Sequence, residues 1–242
     1  MTRILAFVFG VAALILIGFG IVSANNRNND NYCRIMGPSE ENGNIGDHVK
    51  GSADAPVIIV EYADFQCPGC ASVNKLVNAA IEALDGKVAV VYRNYVLSYH
   101  KNGNAAASAA ESAGLQGYWK PFADLLFANQ AEWEDASPSE RTALFKEYFK
   151  LASNGEGDEA EFLSNLTSEN IQKKISNDAK LASAVDFQGT PAFYIDGELI
   201  DWSVKSSVRV NGKVVSWGSG RTTAEDFTNL FKDIAAAKLG EE

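Results

Sequence analysis

Cysteine and histidine are scarce in this chain, with 3 and 2 residues among 242. So few sulfurs exclude a small domain stapled by disulfides, and a Cys/His-rich zinc module is equally out of reach. Positive charge is also short, with 21 Lys and Arg against 31 Asp and Glu for a formal net charge of −10. No Lys/Arg cluster offers a basic face to phosphates, which argues against a nucleic-acid partner. Polar composition is not excessive either. Hydrophobic residues make up 46%, too many for a disordered polyelectrolyte and enough for one or two domains with a sizeable core. No internal repeat is visible.

One long apolar run is present. Residues 4–22 carry no charge; as a helix they span about 28 Å, close to a bilayer hydrocarbon core of about 30 Å. The apolar part of a cleavable signal is usually about 7–15 residues, so this length favours a retained anchor. Val22-Ser23-Ala24 supplies a small-residue cleavage site as the alternative. Arg3 precedes the run, while Arg27 beyond it stands beside Asp30, a bias that points the amino end toward the cytoplasm. The remainder then lies on the extracytoplasmic side, where disulfide chemistry is permitted. Residues 25–31 (NNRNNDN) read as a flexible tether. Cys33 has no lipobox before it; it is an unused thiol, an intermolecular link or an auxiliary redox partner.

Beyond the tether, Val57-Ile58-Ile59-Val60 is a short β-branched run bounded by Pro56, hence a buried strand. Cys67-Pro68-Gly69-Cys70 follows and opens a helical stretch with Val73, Leu76, Val77, Ala80, Ile81 and Leu84 on one face. Asp85-Gly86 ends it, and residues 88–96 form a second strand. The pattern over 104–186 is helical, with Ser137-Pro138-Ser139-Glu140 as one start signal and Asp158 with Glu161 as another. Strand character resumes at residues 192–195 and turns at Asp196-Gly197. Asn211-Gly212 marks a further hairpin. Thr222 with Glu225 is read as the cap of a last helix running to about Leu239.

The CxxC at a strand-to-helix junction carries the chemistry. The thiolate is the nucleophile of disulfide exchange, so the site must favour the charged form of one sulfur. At a helix start, Cys67 meets unpaired backbone N–H groups and the positive end of the macrodipole. Pro68 suits the first turn, where its missing donor costs little. Cys70 lies one turn deeper as the resolving thiol. Each unit by which the thiolate pKa falls favours the reduced pair by about 1.4 kcal/mol, or roughly 30 mV. Pro68-Gly69 places no charge between the sulfurs, so an oxidant of moderate strength is expected. A structural zinc site would need His48 and His100 to converge on the pair, and a purely structural disulfide would gain little from so short a loop. Neither a metal nor a cofactor is expected.

The stretch Glu61-Tyr62-Ala63-Asp64-Phe65-Gln66-Cys67-Pro68-Gly69-Cys70, with Gly189-Thr190-Pro191-Ala192-Phe193 downstream, resembles the DsbA-type thiol-disulfide oxidoreductases. Leu97-Ser98-Tyr99-His100, the Ala-rich segment 105–113, Gln116-Gly117-Tyr118-Trp119 and Leu126-Phe127-Ala128-Asn129-Gln130 extend the likeness over roughly residues 56–239. The resemblance implies an α/β thioredoxin-like fold with an inserted all-helical domain. With the apolar run and the polar tether, the chain divides into an anchor or signal (1–24), a tether and lead-in (25–55), a first thioredoxin-like part (56–102), a helical insert (103–186) and a second thioredoxin-like part (187–242).

The resemblance also implies site roles. Cys67 matches the attacking cysteine, Cys70 its buried partner, and Pro191 the cis-proline facing the disulfide. Thr190, Pro68 and Gly69 then border the bound client, Thr190 pairing with an extended chain. Glu61 matches a buried acid beneath the sulfurs that exchanges a proton with the resolving thiol. His100 reads as structural, held by a backbone partner. Reduced exported proteins are the implied clients, and a quinone-linked membrane protein the implied reoxidant. A reductase or isomerase of the same fold, or a non-catalytic peptide holder, is the alternative. Residues 201–221 depart from the family pattern, and Trp202 and Trp217 within them are read as cover for a sheet edge rather than as substrate-facing surface.

Overall fold

The computed structural model describes residues 30–185, 187–202, 204–218, 220 and 223–241. The apolar run at 4–22 lies outside them. No helix among the described residues is long and apolar enough to cross a membrane.

Strands β1 (His48–Lys50), β2 (Val57–Ala63), β3 (Val88–Asn94), β4 (Ala192–Ile195) and β5 (Glu198–Ile200) form one sheet in the order β1-β3-β2-β4-β5. β2 and β3 run parallel at its centre, while β1, β4 and β5 join antiparallel. All seven residues of β3 are buried, as in a strand covered on both faces, with the apolar run at 88–91 followed by Tyr92, Arg93 and Asn94. Helix α1 (Pro68–Ala83) connects the two central strands. The two-residue strand period puts Glu61 on the same face as Val57, Ile59 and Ala63. Val57 and Ile59 pack there against Val73, Val77 and Ala80 of α1 and against Phe227, Leu230 and Phe231 of the last helix, α8 (Ala224–Leu239). Glu61 therefore sits beneath the CxxC helix.

Between β3 and β4 the chain forms α2 (Gly103–Leu115), α3 (Trp119–Ala128), α4 (Gln130–Trp133), α5 (Pro138–Ala152), α6 (Glu159–Asn165) and α7 (Glu169–Ala182). α2 is central to this layer, and its small buried residues Ala106, Ala107, Ala109, Ala110 and Ala113 let neighbouring helices approach closely. Ser137 and Glu140 cap α5 reciprocally, and Asp158 accepts the Glu161 N–H at the start of α6. Cys67, Cys70 and Phe65 share one core cluster with Ala106, Phe127 and Trp133. The reacting end of α1 is thus packed into the helical layer.

One expectation changes here, and the hairpin expected at Asn211-Gly212 forms. α8 is capped by Thr223 and Asp226, one residue later than the Thr222–Glu225 pair. Thr-Thr followed three residues on by Glu-Asp offers the same capping box in two adjacent registers. The segment after β5 folds into a hairpin, β6 (Ser206–Val210) and β7 (Lys213–Trp217), turning at Asn211 (φ 52°) and Gly212 (φ 82°). It forms a two-stranded sheet of its own rather than extending the main one. Val208, Val210, Val215 and Trp217 bury themselves in the same cluster as Phe227 and Leu230 of α8.

Candidate active site

β2 ends at Ala63, and residues 64–66 turn the chain into α1. Cys67 is the N-cap residue of that helix in extended conformation, with Pro68 in its first turn. Its N–H donates to Asp64 O at 3.0 Å, and Ala71 N–H donates to Cys67 O at 3.1 Å. The Cys67 thiol donates to Thr190 O at 3.4 Å across 123 positions of sequence. The Thr190–Pro191 peptide is cis. A Cβ on Gly69 would lie 3.2 Å from Pro191 Cδ and 3.6 Å from Cys67 Sγ. The absent side chain at position 69 is what lets the Thr-Pro loop approach the sulfurs so closely.

The two sulfurs have opposite electrostatics. The Cys67 pKa is lowered to about 5, first by the hydrogen bond from Cys70, against the opposing effect of burial. The Thr190 side chain and the peptide N–H groups of Cys70 and Gly69 add to the lowering. These peptide donors are the helix-start groups anticipated from the CxxC position. Burial pushes Cys70 well above an ordinary thiol, reinforced by Cys67 and by the nearby Glu61, while the Asp64 N–H works the other way. Cys70 is fully buried and Cys67 keeps 7% of its surface. Only the first sulfur is positioned for attack from outside.

Glu61 is fully buried. Its Oε2 accepts from Lys50 Nζ at 2.9 Å, and Lys50 also donates to Asn74 Oδ1 at 3.0 Å and lies 5.4 Å from the Tyr92 ring centre. Glu61 Oε1 has no hydrogen-bond partner among the described residues. Lys50 was not anticipated: a lysine in a three-residue strand gives no sign of burial. His100 is partly exposed, and its partner is the Asp64 carboxylate at 2.8 Å rather than a backbone group, because Asp64 turns inward beneath it. Cys33 lies on the turn Asp30–Cys33 ahead of β1. Among the described residues no cluster of three or more His, Cys, Asp or Glu side chains could hold a metal ion.

Beside the Thr-Pro loop opens a groove of about 340 Å³ lined by Gln188, Thr190, Pro191, Leu199, Ile200 and Trp202, among others. Trp202 is thereby separated from Trp217. Trp217 is buried, its Nε1 donating to Asp201 O at 2.8 Å, whereas Trp202 packs on Phe227 and forms part of the groove wall. Both tryptophans pack with the cluster that holds Ile200 of the edge strand β5, Trp217 within it and Trp202 at its margin, where Trp202 also faces the groove.

A family model described as thioredoxin matches residues 43–211. A probable disulfide bond formation protein D from Bacillus cereus is 30% identical over 201 residues, which cover 81% of this chain and 88% of that protein. A Na(+)/H(+) antiporter NhaA 1 from Mycolicibacterium gilvum is 29% identical over 168 residues, covering 67% of this chain and 26% of the antiporter. The chain spans about a quarter of the length of such antiporters. Among solved structures, oxidised BdbD from Bacillus subtilis aligns with TM-score 0.57 at 21% identity, covering 84% of this chain and 98% of that one. Alpha-DsbA1 from Wolbachia pipientis aligns with TM-score 0.57 at 24% identity, covering 80% and 93%. These two likenesses establish the fold.

Proposed function

The chain belongs to the thioredoxin family, among its DsbA-type thiol-disulfide oxidoreductases, and from that premise we propose that it is an oxidase that introduces disulfides into reduced exported proteins through Cys67 and Cys70. A client thiolate attacks Cys67 Sγ, the Cys67–Cys70 bond breaks, and its electron pair passes to Cys70, which takes up a proton. A second client thiolate then attacks the client sulfur of the mixed disulfide and expels Cys67 as a thiolate. The client gains one disulfide, and the oxidoreductase is left as a dithiol.

The observation that carries this direction is the lowering of the Cys67 pKa to about 5. A thiolate stabilised in the reduced state makes the disulfide the stronger oxidant. Glu61, next to Cys70 and closed off from solvent, is suited to assist its proton uptake. Thr190 and Pro191 border the groove in which an extended client chain would lie, with Pro68 and Gly69 on the facing turn. The apolar run at 4–22 would tether the domain to the extracytoplasmic face of the membrane, within reach of a quinone-linked membrane reoxidant.

Equilibration with glutathione buffers tests the direction. The oxidase reading expects a potential about 50 mV or more above the thioredoxin value of about −270 mV. A potential at or below that value would make the chain a reductase. In refolding of a reduced model protein, Cys67→Ser is expected to abolish disulfide formation, and full activity in that variant would refute the site assignment.

A further inference from the structure

Asp64 is buried to 1% exposure immediately ahead of the cysteine pair, and the exchange chemistry described above does not use its side chain. Acids are rarely buried unless paired, and this carboxylate has three donors. Oδ1 accepts from Gln66 N–H at 2.8 Å, and Oδ2 accepts from Leu97 N–H at 2.7 Å and from His100 Nδ1–H at 2.8 Å. The packing leaves no slack, since a Cβ on Gly103 would fall 3.0 Å from Oδ1. The main chain of the same residue touches both cysteines. Its carbonyl accepts from Cys67 N–H at 3.0 Å, and its N–H points to Cys70 Sγ at 3.5 Å.

We propose that the Asp64 carboxylate, locked by His100, is a positioning group that holds its own peptide N–H on the Cys70 sulfur as that sulfur leaves. When client thiolate attacks Cys67, the departing electron pair makes Cys70 an anion in a buried site before any proton arrives. A leaving sulfur departs faster when its anion is stabilised. The Asp64 N–H is the peptide donor already in place there. The negative charge of Asp64 would oppose that anion, and the three donors on the carboxylate offset it. His100 therefore acts at one remove, through the orientation of peptide 64.

This inference rests on Cys67 and Cys70 being the reacting pair. The test is the rate at which dithiothreitol reduces the oxidised full chain, followed by acid quench and thiol alkylation. Asp64→Asn, which keeps the shape but pairs an amide with one of the backbone donors, is expected to slow reduction about three- to tenfold, since a less stabilised leaving thiolate departs more slowly. His100→Ala is expected to slow it about threefold. His100→Asn should restore the rate, because its amide N–H replaces Nδ1–H. Phe162→Ala, a cavity in the helical layer, serves as a variant of lowered melting temperature and should leave the rate unchanged. Unchanged rates in Asp64→Asn and His100→Ala, or equal slowing in Phe162→Ala, would overturn the proposal. Should Asp64→Asn fail to fold, the His100 pair decides alone. Alkylation of Cys33 in place of Cys67 and Cys70 on reduction would instead overturn the assignment of the reacting pair.

Discussion

Replacing Lys50 by methionine isolates the buried charge beneath the active site. Lys50 is 2% exposed and Glu61 fully buried, and their 2.9 Å contact supplies the only hydrogen bond to the Glu61 carboxylate among the described residues. Methionine keeps most of the volume over the Tyr92 ring but leaves a carboxylate with no compensating charge. Removing one partner of a buried ion pair costs about 3–5 kcal/mol, most of it the penalty of the charge left behind. For a domain of this size each kcal/mol lowers the melting temperature by about 2–4 °C, so Lys50→Met should melt about 6–20 °C lower. The same reasoning makes a double variant informative. Lys50→Met with Glu61→Leu removes both charges and should recover at least half of the lost stability, because an apolar pair avoids the desolvation that the ion pair must offset. Thermal unfolding by circular dichroism at neutral pH reads both. A Lys50→Met chain that melts within about 2 °C of the unaltered one would refute the reasoning. So would a double variant no more stable than the single.

Two further outcomes follow from the site. The Cys67 pKa falls from 9.0 to about 5 in the folded reduced chain, so the reduced form gains stability as pH rises from 5 toward 9 and loses it as pH falls through 5. The oxidised form carries no such thiolate. Between pH 4 and 7 the stability difference between the two forms should therefore move by about 3 kcal/mol in favour of the reduced one, read as a change of about 6–12 °C in the gap between their melting temperatures; a gap independent of pH contradicts the lowered pKa. Trp202→Ala removes an apolar wall of the groove beside Pro191 and should raise KM for an apolar client peptide severalfold while the potential in glutathione buffers stays where it was. An unchanged KM would place client binding elsewhere.

The parts of this molecule that were legible in sequence are those governed by short-range rules. The CxxC after a β-branched strand announced α1 and its N-terminal sulfur. Asn211-Gly212 announced its hairpin, and the Ser137 capping box its helix. Glu61 was reached through the family resemblance, since the β-branched run that marked the strand stopped at Val60, short of the end of β2 at Ala63. What escaped is the pairing of buried charges across long separations. Lys50 sits in a three-residue strand too short to show alternation. Arg93 meets Asp47 at 2.8 Å, and Lys174 meets Asp47 at 2.9 Å across 127 positions; each residue read alone is an ordinary surface charge. Asp64 stood inside the quoted motif, but its inward turn depends on His100 and Leu97, which the fold delivers from the loop after β3. Trp202 and Trp217 give the same signal in sequence, yet Trp217, at the end of β7, is buried with its Nε1 on Asp201 O, while Trp202, ahead of the hairpin, stays half-buried in the groove wall.

The ionisation of Cys67 is the property on which the functional account turns, and ultraviolet titration of thiolate absorbance in the fully reduced chain measures it directly. One thiolate should appear with a midpoint near pH 5 and vanish in Cys67→Ser. A reduced chain whose first thiolate forms only near pH 9, or an acidic step that survives Cys67→Ser, would contradict it.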